Sequence, residues 1–330
     1  MIEDISKHYD LTPHHIMRIG EYEGFRERST LYIIIPIQQM DQKELQELIL
    51  LSEYMGRKRQ FHVATFVKNK KNKYLSKVQD RTIALLQVPY TEESRYSNVS
   101  TNLARFHKVG ARYPYEVTSL NRLGYWKIFW EKRLDQLEQV WRQVIAKGPV
   151  GSFEVLFVDV FPYYMGLTEN AIQYVVDTEL DIAPTDVDVG TVCHQRFTRD
   201  ILNITYNLPV DWVFDHCSRD LAEWIRHETI HNDQVNKDIQ SFLIEYNQQN
   251  PLSPFGWRLL YARVLFPLTF FTNVENGLMA PEESRGAYED NLRRLIENSD
   301  KHEYFLAYFY ENMLVPRKQW KIPSIQWLTK

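Results

Sequence analysis

The chain has 330 residues, with 39 Lys+Arg against 43 Asp+Glu and a formal net charge of −4. Mixed signs in that balance describe an ordinary globular protein and exclude the strongly basic surface of a nucleic-acid or membrane-surface binder. The length exceeds one small core, so one large or two adjacent domains are expected.

Met1-Ile2-Glu3-Asp4 is acidic and lacks an apolar run, so no secretory signal is expected. The longest aliphatic run, Leu31 to Ile37, is far too short to span a bilayer. Cys193 and Cys217 cannot build a disulfide framework and fit a reducing compartment. Only 12 residues are Gly, about half the usual share of ~7%, which weakens any mechanism resting on a glycine-rich phosphate loop.

In chain order, residues 15–37 read as extended, with Leu31 to Ile37 a buried strand. A helix follows, started by a capping box of Asp41 and Glu44 and stopped at Gly56, its apolar stripe running through Leu45, Leu48, Ile49, Tyr54 and Met55. Phe61 to Val67 and Arg81 to Val88 read as two strands, and Lys68 to Lys73 between them as a solvated hairpin tip. Beyond Val88-Pro89-Tyr90 the pattern turns helical. Residues 97–108 and 125–146 are expected helices, the second with Trp126, Phe129, Trp130, Leu134, Leu137, Trp141 and Ile145 on one side. Val155 to Phe161 is an apolar run, and Glu169 to Thr178 a separate helix. Thr191 to Asp215 alternates short apolar runs with turns, and helices resume near 220–248, 254–272, 281–298 and 302–313. The order predicts an α+β protein: a four- or five-stranded lobe with one helix over residues 1–90, then a helical lobe over 91–330 with a strand-like insert.

No G-x-x-x-x-G-K-[ST], G-x-G-x-x-G, G-x-S-x-G or C-x-x-C is present. P-loop NTPases, Rossmann dehydrogenases and α/β-hydrolases with a nucleophile elbow lose their main support. Aromatic residues make up 14% of the chain, which predicts a large aromatic-rich core.

Several segments, taken in order, resemble one family. They are Asn102-Leu103-Ala104-Arg105-Phe106-His107, Gly166 to Tyr174, Val192-Cys193-His194-Gln195-Arg196, Arg219-Asp220-Leu221-Ala222-Glu223-Trp224-Ile225, and Asn247 to Leu252 followed by Leu259-Leu260-Tyr261 and Leu265-Phe266-Pro267. Together they resemble the spore coat protein S family, within the aminoglycoside-phosphotransferase and protein-kinase-like fold. The resemblance implies a small strand lobe, a hinge, and a helical lobe with a central hairpin.

Active members of that fold carry His-x-Asp-x-x-x-x-Asn followed by an Asp ending the next strand, because phosphoryl transfer needs a proton acceptor, carboxylates for Mg²⁺ and a lysine for the phosphates. Here His194 matches the His, but Arg196 stands at the Asp and Ile201 at the Asn. A guanidinium stays protonated and cannot act as a base. Asn203 would need a shifted hairpin to substitute. Asp215 or Asp211 is the candidate for the metal-binding Asp. The strand lysine is missing, since Leu31 to Ile37 holds none and Lys43 lies on the following helix. His194 is expected to be a hydrogen-bonded core residue holding the hairpin, and Arg196 to pair with a buried carboxylate, the alternative being that it faces a phosphate-bearing partner. The resemblance implies a catalytically inactive, pseudokinase-like protein that binds spore coat proteins. It would be made in the mother-cell cytoplasm and need no cofactor, with no nucleic-acid or membrane partner. The alternative on the same fold is an active small-molecule phosphotransferase with relocated groups.

His227-Glu228-Thr229-Ile230-His231 is a literal H-E-x-x-H. On a helix, His at i and i+4 bind one Zn²⁺ and the Glu activates water, with Glu245 as a possible third ligand. Against a zinc hydrolase, Glu228 falls near the centre of the helix's apolar stripe, where it needs a buried partner. Cys193, Cys217, His194 and His216 could form a second metal cluster, although buried core thiols are the expectation.

Overall fold

The structure is a computed structural model that describes residues 2–78, 80–91, 99–198, 206–231 and 235–329. It divides into two compact units: Met1–Asn121 with Gly190–Asp220 and Glu245–Asn250, and Arg122–Val189 with Leu221–Ile244 and Pro251–Lys330.

The first unit is built on a six-stranded antiparallel sheet, one strand more than the sequence pattern suggests. Its strands are β1 (Met17–Ile19), β2 (Tyr22–Glu27), β3 (Thr30–Pro36), β4 (Thr65–Val67), β5 (Leu75–Val78) and β6 (Arg81–Pro89). β6 is the hub. β3 pairs along one edge, from Thr30↔Pro89 to Pro36↔Ile83. β4 and β5 share the other edge end to end, with Phe66↔Leu86 and Ser76↔Ile83. β5 follows the basic turn directly and has an apolar residue only at each end, so alternation did not reveal it.

β3 reads as a continuous apolar run because both faces of the sheet are covered. Leu31, Ile33 and Ile35 join a core with Leu48, Ile49 and Met55 of α2 (Gln42–Gly56). Ile34 points the other way, into a cluster with Ile5 and Tyr9, on and just after α1 (Ile2–His8). α1 is a helix the sequence pattern did not announce. Asp41 does precede α2, but its side chain makes no capping hydrogen bond. α3 (Val99–Gly110) and the hairpin of β7 (Thr191–His194) and β8 (Trp212–Asp215) complete this unit's framework.

The second unit is helical: α4 (Trp126–Lys147), α5 (Gly151–Asp181), most of α6 (Ser218–His231) and α7 (Val235–Gln249), then α8 (Pro254–Leu265), α9 (Leu268–Met279), α10 (Gly286–Glu297), α11 (Ser299–Ala307) and α12 (Phe309–Asn312). The apolar run at 155–161 and the helix at 169–178 are one 31-residue helix, α5, despite Pro162 inside it. Pro162 removes the N–H that the Val158 carbonyl would accept. The Trp141 indole donates to that carbonyl instead, at 3.1 Å, so α4 repairs the break in α5.

Aromatic stacking fills this core: Trp130 on Phe266 at 4.5 Å and Tyr164 on Phe270 at 3.9 Å between ring centroids. Arg258, 1% exposed, is held by Asp181 at 3.0 Å and by the Thr178 hydroxyl at 3.1 Å. Among the described residues, no helix is long and apolar enough to cross a membrane.

Candidate functional site

The hairpin that carries the candidate residues pairs Thr191↔Asp215 through His194↔Trp212, and all four β7 residues are buried. It docks on the end of α3. The Thr191 hydroxyl donates to the His107 carbonyl at 2.7 Å. A Cβ on Gly110 would stand 2.8 Å from the Val192 nitrogen, so only glycine admits this approach.

Asp220, in the first turn of α6 and fully buried, is the centre of the site. Its Oδ1 accepts the His194 N–H at 2.9 Å, and its Oδ2 accepts His194 Nδ1 at 2.7 Å and His107 Nε2 at 3.1 Å. Donor and acceptor roles then follow from the network in both directions. His107 has spent its Nε2 proton on Asp220, so Nδ1 accepts from the Tyr246 hydroxyl at 2.8 Å, which in turn accepts from Asn250 Nδ2 at 2.9 Å. On the other side, His194 Nε2 lies 3.2 Å from Asn207 Oδ1. The amide orientation of Asn207 is fixed, because its Nδ2 donates to the Phe61 carbonyl at 2.6 Å. Both ring nitrogens of His194 therefore face acceptor oxygens. The Asn207 backbone also exchanges hydrogen bonds with His62 and Ala64. One line of hydrogen bonds thus ties α7, α3, α6, the hairpin and the segment before β4.

Burial alone would raise the Asp220 carboxyl, but His194 and His107 outweigh it and hold it far below the usual range. Burial pushes the His107 imidazole down, against the pull of Asp220. Burial pushes the Cys193 thiol well up, and its Sγ donates to the carbonyls of Asp215 and His216 at 3.6 and 3.5 Å.

His194 is thus the hydrogen-bonded core residue the sequence suggests. Arg196 is exposed, and so is Gln195. Ile201 and Asn203 lie outside the described residues. Asp215 ends β8 and is 1% exposed. Its Oδ2 accepts Arg219 Nη1 at 2.9 Å and its Oδ1 accepts the His216 N–H at 2.8 Å. Arg219 Nε also donates to the His194 carbonyl at 3.0 Å, so this guanidinium bridges the end of β7 and the end of β8. Asp211 sits just before β8, where its carbonyl accepts the Gln195 N–H at 2.7 Å. Burial raises its carboxyl, with Glu21 adding and His194 opposing. Lys43 is exposed on α2.

Sequence reasoning passed over Glu47. It lies on the inner face of α2, and its Oε1 accepts the N–H groups of Thr118 and Ser119 at 2.9 and 3.0 Å and the Thr118 hydroxyl at 2.8 Å. Oε2 accepts the Leu120 N–H at 2.9 Å. The Leu120 carbonyl accepts the Phe214 N–H at 2.9 Å, so α2 is tethered to β8 through residues 118–120. The available signal was a Glu between Leu45 and Leu48 in an apolar stripe.

His107, Cys193 and Asp220 present ligand atoms within 4.8 Å of one another. Asp220 there is surrounded by N–H donors, the Cys193 thiol is held protonated by burial, and His107 Nε2 carries the proton given to Asp220. Metal binding needs a thiolate and an open imidazole lone pair, so this cluster's chemistry opposes an ion. His216 is taken up by Ser218, its Nδ1 2.7 Å from the hydroxyl, and Cys217 is a buried free thiol. In the H-E-x-x-H segment, Glu228 is 2% exposed with Oε1 3.5 Å from His227 Nδ1. The His231 side chain lies outside the described residues. Glu245 takes the Ser100 hydroxyl.

Comparison with solved structures shows the fold. An aminoglycoside phosphotransferase from Alicyclobacillus acidocaldarius superposes with a TM-score of 0.67 at 13% identity, covering 95% of this chain and 96% of that one. An amicoumacin kinase gives 0.57 at 12% identity, covering 90% and 92%. The chain therefore has the two-lobed, kinase-like α+β fold of the aminoglycoside phosphotransferases. The endospore coat-associated protein YutH of Bacillus subtilis is 39% identical over 312 residues, 94% of this chain and 92% of that protein. The model of the family described as "Spore coat putative kinase YutH" matches residues 2–309. By both measures the chain belongs to the spore coat YutH family.

Proposed function

We propose that this chain is a kinase-shaped protein of the spore coat that acts by binding other coat proteins and does not transfer phosphate. It takes residues 1–90 as the small lobe and 91–330 as the helical lobe, with assembly beginning in the mother-cell cytoplasm. The coat setting comes from the family and from the name of its relative.

The observation that carries the catalytic part is the guanidinium on Asp215. A Mg²⁺-binding carboxylate must offer oxygens to the ion. Here both Asp215 oxygens accept hydrogen bonds, one from Arg219 at 2.9 Å and one from the His216 N–H at 2.8 Å. A cation already sits on the group that would hold the metal. Ile201 at the second ligand position has no oxygen to add, and Arg196 at the base position cannot accept a proton. The donor set does not fit Mg²⁺, and no transfer step is derived through it.

Calorimetric titration of the purified chain with Mg·ATP tests the reading. No heat at millimolar nucleotide, together with capture of coat proteins from sporulating cells, supports it. One-to-one binding with turnover overturns it in favour of a small-molecule phosphotransferase with relocated groups, for which Asp211 is the first residue to substitute. Arg196→Asp alone leaves transfer undetectable on the proposed reading, because the lysine and asparagine equivalents are also missing.

A further inference from the structure

A cavity of about 970 Å³ opens among the helices of the second unit, at the upper end of the ~300–1,000 Å³ typical of small-molecule sites. The function proposed above does not use it. Its inner wall is aromatic, with Tyr164 stacked on Phe270 at 3.9 Å between centroids. At its edge stand Arg294 on α10 and Lys301 on α11, both exposed and neither paired with an acid among the described residues. Asp300 is the one carboxylate in the described lining.

Deeper in, Arg226 is held by Glu223 at 3.0 Å and donates to the Arg263 carbonyl at 2.6 Å. His302 faces the same space. Burial, with the Arg226 guanidinium adding, pushes its imidazole down to about 4, so at neutral pH it is an uncharged hydrogen-bonding group. The lining thus offers two uncommitted cations at the mouth, against one acid, and an apolar, ring-rich interior. This division matches an amphiphilic anion: charge at the mouth, body within.

We propose that this cavity binds a small organic anion with an apolar body, an aryl phosphate or carboxylate, whose head group is held by Arg294 and Lys301 and whose body lies against Phe270 and Tyr164.

The test is calorimetry on the full chain with 1-naphthyl phosphate, 1-naphthol and inorganic phosphate. One-to-one binding of naphthyl phosphate, with each control at least tenfold weaker, is expected. The double variant Arg294→Ala/Lys301→Ala should lose at least tenfold in affinity, since one ion pair of about 1.4 kcal/mol is a factor of ten. Both side chains are exposed, so the fold should survive. Asp300→Asn should tighten binding several-fold, because it removes the acid beside the head group. Absence of one-to-one binding at millimolar probe overturns the proposal. So does an unchanged affinity in the double variant, which would put the probe elsewhere on the chain, or weaker binding of the probe in Asp300→Asn, which a head group beside that acid does not allow.

Discussion

Replacing Asp220 by Asn perturbs the hairpin's anchor with almost no change in volume. Asp220 is fully buried and accepts three N–H groups at 2.9, 2.7 and 3.1 Å. An asparagine has one acceptor oxygen. In its better orientation the amide NH₂ faces the His194 backbone N–H and the oxygen keeps both imidazoles. One charge-assisted bond is lost and two become neutral. At about 1.5–3 kcal/mol for a bond to a charged group, and about half that for a neutral one, the variant loses about 3–6 kcal/mol. That is a large share of a total stability on the order of 5–15 kcal/mol. Urea unfolding at pH 7, followed by tryptophan fluorescence, measures it, because buried Trp212 pairs directly with His194 in the hairpin. The pH dependence has a definite sign. The folded-state carboxyl is held below its unfolded value of about 3.9. Its contribution is fully present above that pH and is lost as pH falls through the folded value. The gap between wild type and Asp220→Asn should therefore be flat from pH 7 to 5 and close below about pH 4. A loss under about 1 kcal/mol at pH 7, or a gap that widens on acidification, would refute the assignment of Asp220 as the charged anchor.

Glu47→Gln should cost about 4–7 kcal/mol by the same counting, since one of its oxygens accepts two N–H groups and a hydroxyl and the other the Leu120 N–H, so one charge-assisted bond is lost and three become neutral. Burial raises this carboxyl, but the three backbone donors outweigh it and hold it low. Its contribution is thus present at neutral pH and lost below the ordinary glutamate range, and an acid titration of stability should flatten in the variant. Trp141→Phe should cost about 1–2 kcal/mol by stranding the Val158 carbonyl, and much less in a Pro162→Ala background that restores a helical N–H to it. A double-mutant cycle showing no coupling would remove the indole from that role.

The parts of the fold legible in the sequence are those where burial is periodic. β3 was readable because a sheet covered on both faces demands an unbroken apolar run, and α4 because its aromatic residues recur at helical spacing. α5 was split in two because Pro162 ordinarily ends a helix, and the indole that repairs it comes from another helix. β5 was missed because it is held by pairing with β6 more than by its own composition. At the site, His194 was singled out by its place in the resemblance, and Asp215 only as one of two candidates with Asp211. Glu47, His107 and Tyr246 were not, because their partners lie 71, 113 and 139 residues away in sequence.

Asp220 and Asp215 show the two uses a buried carboxylate can have. The first is surrounded by fixed N–H donors and works as a cross-link. The second is, with Asp211, one of the two candidates for a metal ligand, and such a ligand needs oxygens left open for an ion. In this chain each Asp215 oxygen also accepts a fixed donor, and the guanidinium on one of them holds the His194 carbonyl as well. Arg219→Met separates these uses. If Asp215 is now a structural group, its buried carboxylate loses the Arg219 cation and the variant loses about 3–5 kcal/mol. Adding Asp215→Asn should recover most of that loss, because the buried negative charge is gone. Millimolar Mg²⁺ should leave the melting temperature of the single variant unchanged. A clear rise with Mg²⁺ that disappears in the double variant would mean that Arg219 is a removable plug over a working metal site, since only binding to the folded form stabilises by mass action. The proposal that the chain transfers no phosphate would then have to be withdrawn.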